Sequence, residues 1–425
     1  MSLEIVNASD REALSGLFAG GWNPPLAVVF AVRAILDDVR ERGDVALVEY
    51  TRRWDHAETD VTKLRVDIPS RKNARELIPE QIAVGLELAR ERIADFHARQ
   101  LPVPIDYHAH DLTHYAYLSR PLGAVGAYVP GGSAPLPSTV LMTVVPAKVA
   151  GVERIVVVTP PQRDGNVDPA VLYACALTEV DELYAVGGAQ AIAALAYGTE
   201  TVSPVDVIVG PGNLYVQEAK RQVFGAVGID GFAGPSDLIV IAGSDADPSP
   251  LALDLLAQAE HGPGTLVIGI SESSELLAEL SARLQDAPDT GAVARLVQVA
   301  DVDQALALAE AFAPEHLELV GEEPQALAPR VSRAGCVFLG ADSATAFGDY
   351  IAGSNHVLPT NGAARFASAL SPAHFRRSFT EVRIGSGAGE LARLAAPLAR
   401  AEGFELHARS MEARIRDNGK HDPAR

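Results

Sequence analysis

From Leu122 to Gly340, short apolar runs alternate with helix-length segments, and that alternation leaves one fold class open. The runs read AVGAYV, RIVVVTP, ELYAV, DVIVG, LIVIA, TLVIGI, RLVQV, HLELV and CVFLG. They are Val- and Ile-rich and apolar at nearly every position, as in strands buried on both faces. Helical patterns fall between them near 138–150, 169–178, 189–196, 213–224, 251–261, 274–284 and 302–312. Strands that alternate with helices predict an α/β fold, a parallel sheet covered by helices on both sides. The series is long enough for two such sheets, and it contains no fixed-period repeat and no low-complexity linker.

The flanks read differently. Residues 1–24 form a mixed extension, followed by helical stretches at 25–42, 44–53 and 79–99, the last with Ile82, Leu86, Leu88, Ile93 and Phe96. From about 390 the chain is helical again, and 417–425 are polar. A chain of 425 residues exceeds one ordinary core, so two domains with appendages are expected. The net charge of -20 argues against a nucleic-acid surface. No apolar run approaches a membrane span, and MSLEIVNASDRE lacks a signal pattern, so a cytoplasmic location is expected. Cys175 and Cys336 sit in YACAL and AGCVFLG and read as buried small hydrophobes. Without a Cys-x-x-Cys, a thiolate zinc site is excluded.

Six segments carry chemistry, besides the short turn GGAQA. In LALDLLAQAEHGPG, a helix started by Asp247-Pro248-Ser249-Pro250 is stopped by Gly262-Pro263-Gly264. Gln258 and His261 are three apart on its last turn, where free carbonyls favour a cation. GAYVPGGSAPLPST (126–139) runs from a strand through a glycine turn into a helix start, and VGPGNLYVQEAKRQ (209–222) does the same with Asn213 at the N-cap. With GGAQA (187–191) these turns suggest a nucleotide cleft that lacks the G-x-G-x-x-G fingerprint. In AFAPEHLELV an acid, Glu315, stands beside an imidazole, His316, at a strand entrance, a pairing suited to proton transfer near neutral pH. AFGDYIAGSNHVLPT places Asp349 and His356 in a Gly- and Pro-rich loop; Asp349 can complete a mixed N/O site with Gln258 and His261, fitting zinc or manganese. AEGFELHARS holds Glu402 and His407, five apart.

Taken together, ILDDVRERGDVALVEYTRRWD, GAYVPGGSAPLPSTVLM, GAQAIAALAYGTETV, VGPGNLYVQEAKRQVFG, AGPSD, AQAEH, APEHLEL and GDYIAGSNHVLPTNGAARF resemble the histidinol dehydrogenase family, in order, from about residue 34 to 411. The resemblance implies a zinc enzyme that oxidises L-histidinol to L-histidine through histidinal in two NAD-linked steps. It implies one Zn2+ per subunit and two incomplete Rossmann-like domains with helical N- and C-terminal extensions. The expected division is an outer domain at 25–127 plus 235–370, an inserted NAD domain at 128–234, and a C-terminal dimerisation tail at 371–425. By position, Gln258, His261, Asp349 and His407 resemble the zinc ligands, His407 coming from the partner of a homodimer with shared active sites. Glu315 and His316 look like the acid/base pair, Ser236, His356 and Glu402 like further substrate contacts, and Tyr128, Gln190 and Asn213 like NAD contacts. The chain departs from the family's pattern in carrying Asp237 where Glu is common and Gly262 where Asp is common, and its cysteines fall elsewhere. The changes at 237 and 262 bear on substrate choice, and the alternative function is a related NAD-dependent dehydrogenase of another small diol such as sulfopropanediol. A non-catalytic binding protein is disfavoured because every proposed ligand and base is present. A cysteine-dependent aldehyde dehydrogenase is disfavoured because neither cysteine has activating neighbours.

Overall fold

The computed structural model describes residues 2–10, 14, 23–55, 58–111, 113–131, 135–232 and 234–415. In chain order its strands are β1 (Ser2–Asn7), β2 (Arg65–Val66), β3 (Ile105–His108), β4 (His114–Pro121), β5 (Ala124–Tyr128), β6 (Arg154–Thr159), β7 (Glu182–Ala185), β8 (Val207–Val209), β9 (Gly228–Ile229), β10 (Asp237–Ala242), β11 (Leu266–Ser271), β12 (Val293–Gln298), β13 (His316–Val320), β14 (Cys336–Leu339) and β15 (Arg376–Arg383). The chain forms two compact units, residues 1–101 with 122–375, and residues 102–121 with 376–425.

The first unit holds two six-stranded sheets. One runs β1-β12-β11-β10-β13-β14 with every pairing parallel. The other runs β2-β7-β6-β5-β8-β9, parallel except for the short β2 at its edge. In the second sheet the strand period of two sends Val125, Ala127, Ile155 and Val157 to one core and Tyr128, Val156, Val158 and Tyr184 to the other. The helices Glu80–Ala98, Pro137–Ala150 and Pro169–Leu177 cover the first of these faces, and Leu26–Arg42, Asp44–Trp54, Gly188–Tyr197 and Leu214–Val223 cover the second. Double burial is why these strands read as unbroken apolar runs.

The first sheet is built alike. Leu238 and Val240 meet Leu251, Leu255, Leu276 and Leu280 on one side, while Ile239, Ile241, Leu317 and Leu319 meet Ala305, Leu306 and Ala309 on the other. In both sheets the earliest central strand is flanked on each side by later ones, so the order reverses beside β5 and beside β10. Such reversals leave a crevice outside the carboxyl ends of the strands, which beside β5 is where Tyr128 closes the strand.

The second unit is a three-stranded antiparallel sheet, β15-β4-β3, with the helices Ala388–Ala401 and Glu405–Glu412. The strand Arg376–Arg383 precedes the helical part of the tail; it is polar and mostly exposed, so no apolar alternation announces it. On the helix Glu80–Ala98 the buried face is Ala83, Leu86, Ala89, Ile93 and His97, whereas Ile82, Leu88 and Phe96 are exposed. Residues 417–425 lie outside the described residues.

Candidate active site

Glu315 and His316 sit where the helix Val302–Phe312 has ended and β13 begins, and both are buried. Across the order reversal, β10 opens with Asp237, paired beside them. The two strand mouths are laced together. The Asp237 N–H donates to Glu315 Oε2 at 3.0 Å, and the Glu315 N–H donates to Asp237 Oδ1 at 2.6 Å. His316 Nδ1 donates to the Asp237 carbonyl at 3.2 Å, which leaves Nε2 as the basic nitrogen of the neutral ring. Burial, followed by the charge of Asp237, raises the Glu315 carboxyl well above the ordinary glutamate range; Asp349 adds to this and the Ser236 hydroxyl opposes it. Burial also raises Asp237. For His316, burial lowers the imidazole pKa to about 4 against the pull of Asp349, so the ring is neutral at pH 7.

The same electrostatic neighbourhood gathers the other candidates. Asp349, His261 and His356 all act on His316, and Asp349 and His261 act on His356. Burial lowers the His356 pKa, and the ring is held from two sides: its Nδ1 donates to the Asp349 carbonyl at 3.1 Å and its Nε2 accepts from the Thr139 hydroxyl at 3.3 Å. Asp349 lies on the short helix Ala346–Tyr350, part of a stretch that reads as loop in the sequence. The helix Pro248–Ala259 is capped by Asp247 as expected, but it ends at Ala259, so Gln258 lies in its last turn and His261 just beyond. The Gln258 amide donates to His261 Nδ1 at 3.2 Å.

That spacing bears on whether the residues fit a metal. Two ligands each about 2.1 Å from a tetrahedral zinc stand about 3.4 Å apart. With its amide turned over, Gln258 would present an oxygen about 3.2 Å from His261 Nδ1, close to that separation. An amide oxygen, an imidazole and a carboxylate are hard and borderline donors suited to zinc. The helices Pro248–Ala259 and Val302–Phe312 also end at this edge, where their free carbonyls favour a cation. Among the described residues no group of three or more His, Cys, Asp or Glu side chains is arranged to hold a metal. One chain brings together three of the proposed ligands here; the fourth, His407, belongs to the second unit with Glu402, and both are exposed. Glu402 caps one tail helix, and His407 lies in the next, its ring 5.1 Å from that of Phe404.

The other order reversal, beside β5, gathers the proposed nucleotide contacts at the opposite ends of the strands. Tyr128 closes β5, and its buried hydroxyl accepts from the Gly188 N–H at 3.2 Å. Gln190 is buried on the helix Gly188–Tyr197, and its Oε1 has no hydrogen-bond partner among the described residues. Asn213 caps the helix Leu214–Val223, accepting from the N–H groups of Tyr215 and Val216. A Cβ on Gly212 would come within 2.5 Å of the Val216 side chain, so only glycine fits the turn. Lys220 and Asp230 fix that turn: Lys220 pairs with Asp230 and donates to the Gly210 carbonyl, while Asp230 accepts from the Gly210 N–H at 2.7 Å. An unpartnered amide oxygen beside a helix N-terminus suits a nucleotide. Gly132 and Ser133 of the other expected turn lie outside the described residues.

Asp237 carries more of this site than the sequence reveals. Its signal was position alone, a charged residue at the mouth of an apolar strand. Glu318 was hidden inside HLELV; it is buried, bonded to Asp254 of the helix Pro248–Ala259 and to Thr345, which precedes the helix bearing Asp349. Cys175 is buried and Cys336 half-buried, both free, and burial raises both thiols.

The family model described as histidinol dehydrogenase matches residues 26–415. The chain is 45% identical over 431 residues to a histidinol dehydrogenase of Rhodospirillum rubrum, covering 98% of each. It is 49% identical over 397 residues to one of Thermus thermophilus, covering 90% of this chain and 93% of the relative. The crystal structure of histidinol dehydrogenase from Elizabethkingia anophelis superposes with a TM-score of 0.91 at 32% identity over 98% of both chains.

Proposed function

Since the chain belongs to the histidinol dehydrogenase family, we propose that it oxidises L-histidinol to L-histidine through L-histidinal, with one zinc ion per subunit and two molecules of NAD. The observation that carries this reading is the convergence of Glu315, a neutral His316, His261, Asp349 and His356 at one sheet edge.

In this reading Gln258, His261 and Asp349 would hold zinc together with the partner's His407. Bound there, zinc would supply a Lewis acid beside the substrate and NAD would supply a hydride acceptor. Ser236, His356 and the partner's Glu402 contact the substrate, while Tyr128, Gln190 and Asn213 contact NAD. His316 Nε2 takes the hydroxyl proton of histidinol as hydride leaves the same carbon, and the product is histidinal. Water then adds to the aldehyde, and Glu315 as carboxylate takes the proton that water gives up. A raised pKa makes Glu315 the stronger base once ionised. His316, its first proton released to solvent, next takes a hydroxyl proton from the hydrate as the second hydride departs. The balance is one alcohol, one water and two NAD to one carboxylate, two NADH and three protons.

The test is purified, zinc-loaded protein with NAD, offered L-histidinol and, separately, sulfopropanediol, with NADH counted per substrate consumed. Two NADH per histidinol are expected. No NADH from histidinol, with turnover of the other diol, overturns the assignment.

A further inference from the structure

Asp237 touches both proton-transfer groups through three different atoms. Its carboxylate receives the Glu315 N–H at 2.6 Å, its own N–H holds the Glu315 carboxylate at 3.0 Å, and its carbonyl receives His316 Nδ1 at 3.2 Å. Its second carboxylate oxygen accepts the Asn361 N–H at 3.3 Å, which braces it from the loop after His356. We propose that Asp237 is the positioning residue of this site: its backbone fixes the ring of His316, and its side chain fixes both the place and the basicity of Glu315.

The two duties separate physically. The bond to His316 uses the backbone carbonyl, which any residue at 237 provides. The bonds to Glu315 are reciprocal, so the carboxylate of each residue is set by the peptide of the other. The groups facing Glu315 are Asp237 from β10, Asp349 from the helix Ala346–Tyr350, the Ser236 hydroxyl, and His316, whose Nδ1 is 3.7 Å away and neutral. Of these Asp237 is the charged group bonded to the Glu315 backbone, and two buried carboxylates so placed resist ionising together. Removing the charge at 237 lets Glu315 give up its proton at lower pH and weakens it as a base for water. Because Glu315 is assigned to the hydration of histidinal, the side chain at 237 governs the second half-reaction. This rests on the reading of Glu315 and His316 given above.

The experiment uses full-length, zinc-loaded enzyme and single-turnover NADH formation, started from histidinol or from histidinal, across a range of pH. Asp237→Asn is expected to lower the high-pH plateau of histidinal oxidation about tenfold, at least five times more than it slows histidinol oxidation, and to move the rise of the histidinal rate to lower pH. A merely structural role would slow both half-reactions alike and leave the profile in place; that result overturns the proposal. If Asp237→Asn does not fold, Asp237→Ser decides. It removes the charge and keeps a short acceptor, so it should lower the histidinal plateau selectively and move the profile to lower pH; equal loss in both steps, or no loss in either, overturns the proposal. If wild-type enzyme forms no NADH from histidinol, the functional reading has failed before any variant is measured.

Discussion

The two neighbours Glu315 and His316 differ in what burial does to them. It raises the carboxyl and lowers the imidazole, so the ring is available as a base at pH 7 and the carboxyl becomes the stronger base once ionised. If the first step uses His316 alone and the second uses both, their variants separate. Glu315→Gln keeps the shape and removes the base, and it should slow histidinal oxidation by about 10²–10⁴-fold while slowing histidinol oxidation far less. His316→Asn should slow both. Single-turnover NADH formation from each substrate checks this, and equal damage from Glu315→Gln refutes the division of labour. His261 is exposed, so His261→Asn should leave the fold intact while zinc per subunit and activity fall together. Elemental analysis beside a thermal melt measures that, and a metal-free variant with full activity would remove His261 from the ligand set.

Elements were far more legible in the sequence than contacts between them. Val- and Ile-rich runs such as RIVVVTP and LIVIA marked the parallel strands because helices cover both their faces. Asn213 and Asp247 marked helix starts because a cap is a local device. The strands β3, β4 and β15 were not legible: β15 pairs with β4 far back in the sequence, and the neighbouring strands β3 and β4 are exposed or half-buried along most of their length, with polar residues interspersed. Of the site, the acidic and imidazole groups could be picked out by type, but the ring of bonds around Asp237 could not, since it depends on the pairing of β10 with β13. The same limit hid Glu318, which joins three site elements by bonding Asp254 and Thr345. Burial, and then the charge of Asp254, raises its pKa to about 8. A carboxyl raised in the folded state contributes stability that is whole below its unfolded pKa of about 4.3 and is lost as pH rises through the folded value. Glu318→Gln, which cannot ionise, should therefore melt a few degrees above wild type at pH 8 and lose that advantage by pH 5. A difference that does not depend on pH would show that ionisation of Glu318 costs the fold nothing.

At the scale of the whole molecule, the proposed metal ligands fall in two units, with Gln258, His261 and Asp349 in one and His407 in the other. The helices beside His407 expose Leu394, Leu398, Phe404 and Leu406, the last at 74%, an apolar surface that suits burial against a second chain. If each site takes His407 from the partner, a dimer of one His407→Ala chain and one His261→Ala chain holds one intact site. Mixing the two inactive variants under exchange should restore up to about half the activity per hybrid. Hybrids isolated by differential tags that remain inactive would end the shared-site idea.

The two sheets do their work from opposite ends. The proposed nucleotide turns follow the last residues of β5 and β8, whereas the acid/base pair and Asp237 stand at the first residues of β13 and β10. Among the described residues no strand carries both proposed duties. On that assignment cofactor preference and substrate chemistry would be separate modules of one polypeptide. The turn 210–213 could then be recut for a different dinucleotide without shifting the strand that follows Glu315, and the mouth at 236–237 could be retuned for another alcohol without disturbing the proposed nucleotide turns. A scaffold divided this way can diversify along one axis at a time, a path open to lineages and to protein engineers alike.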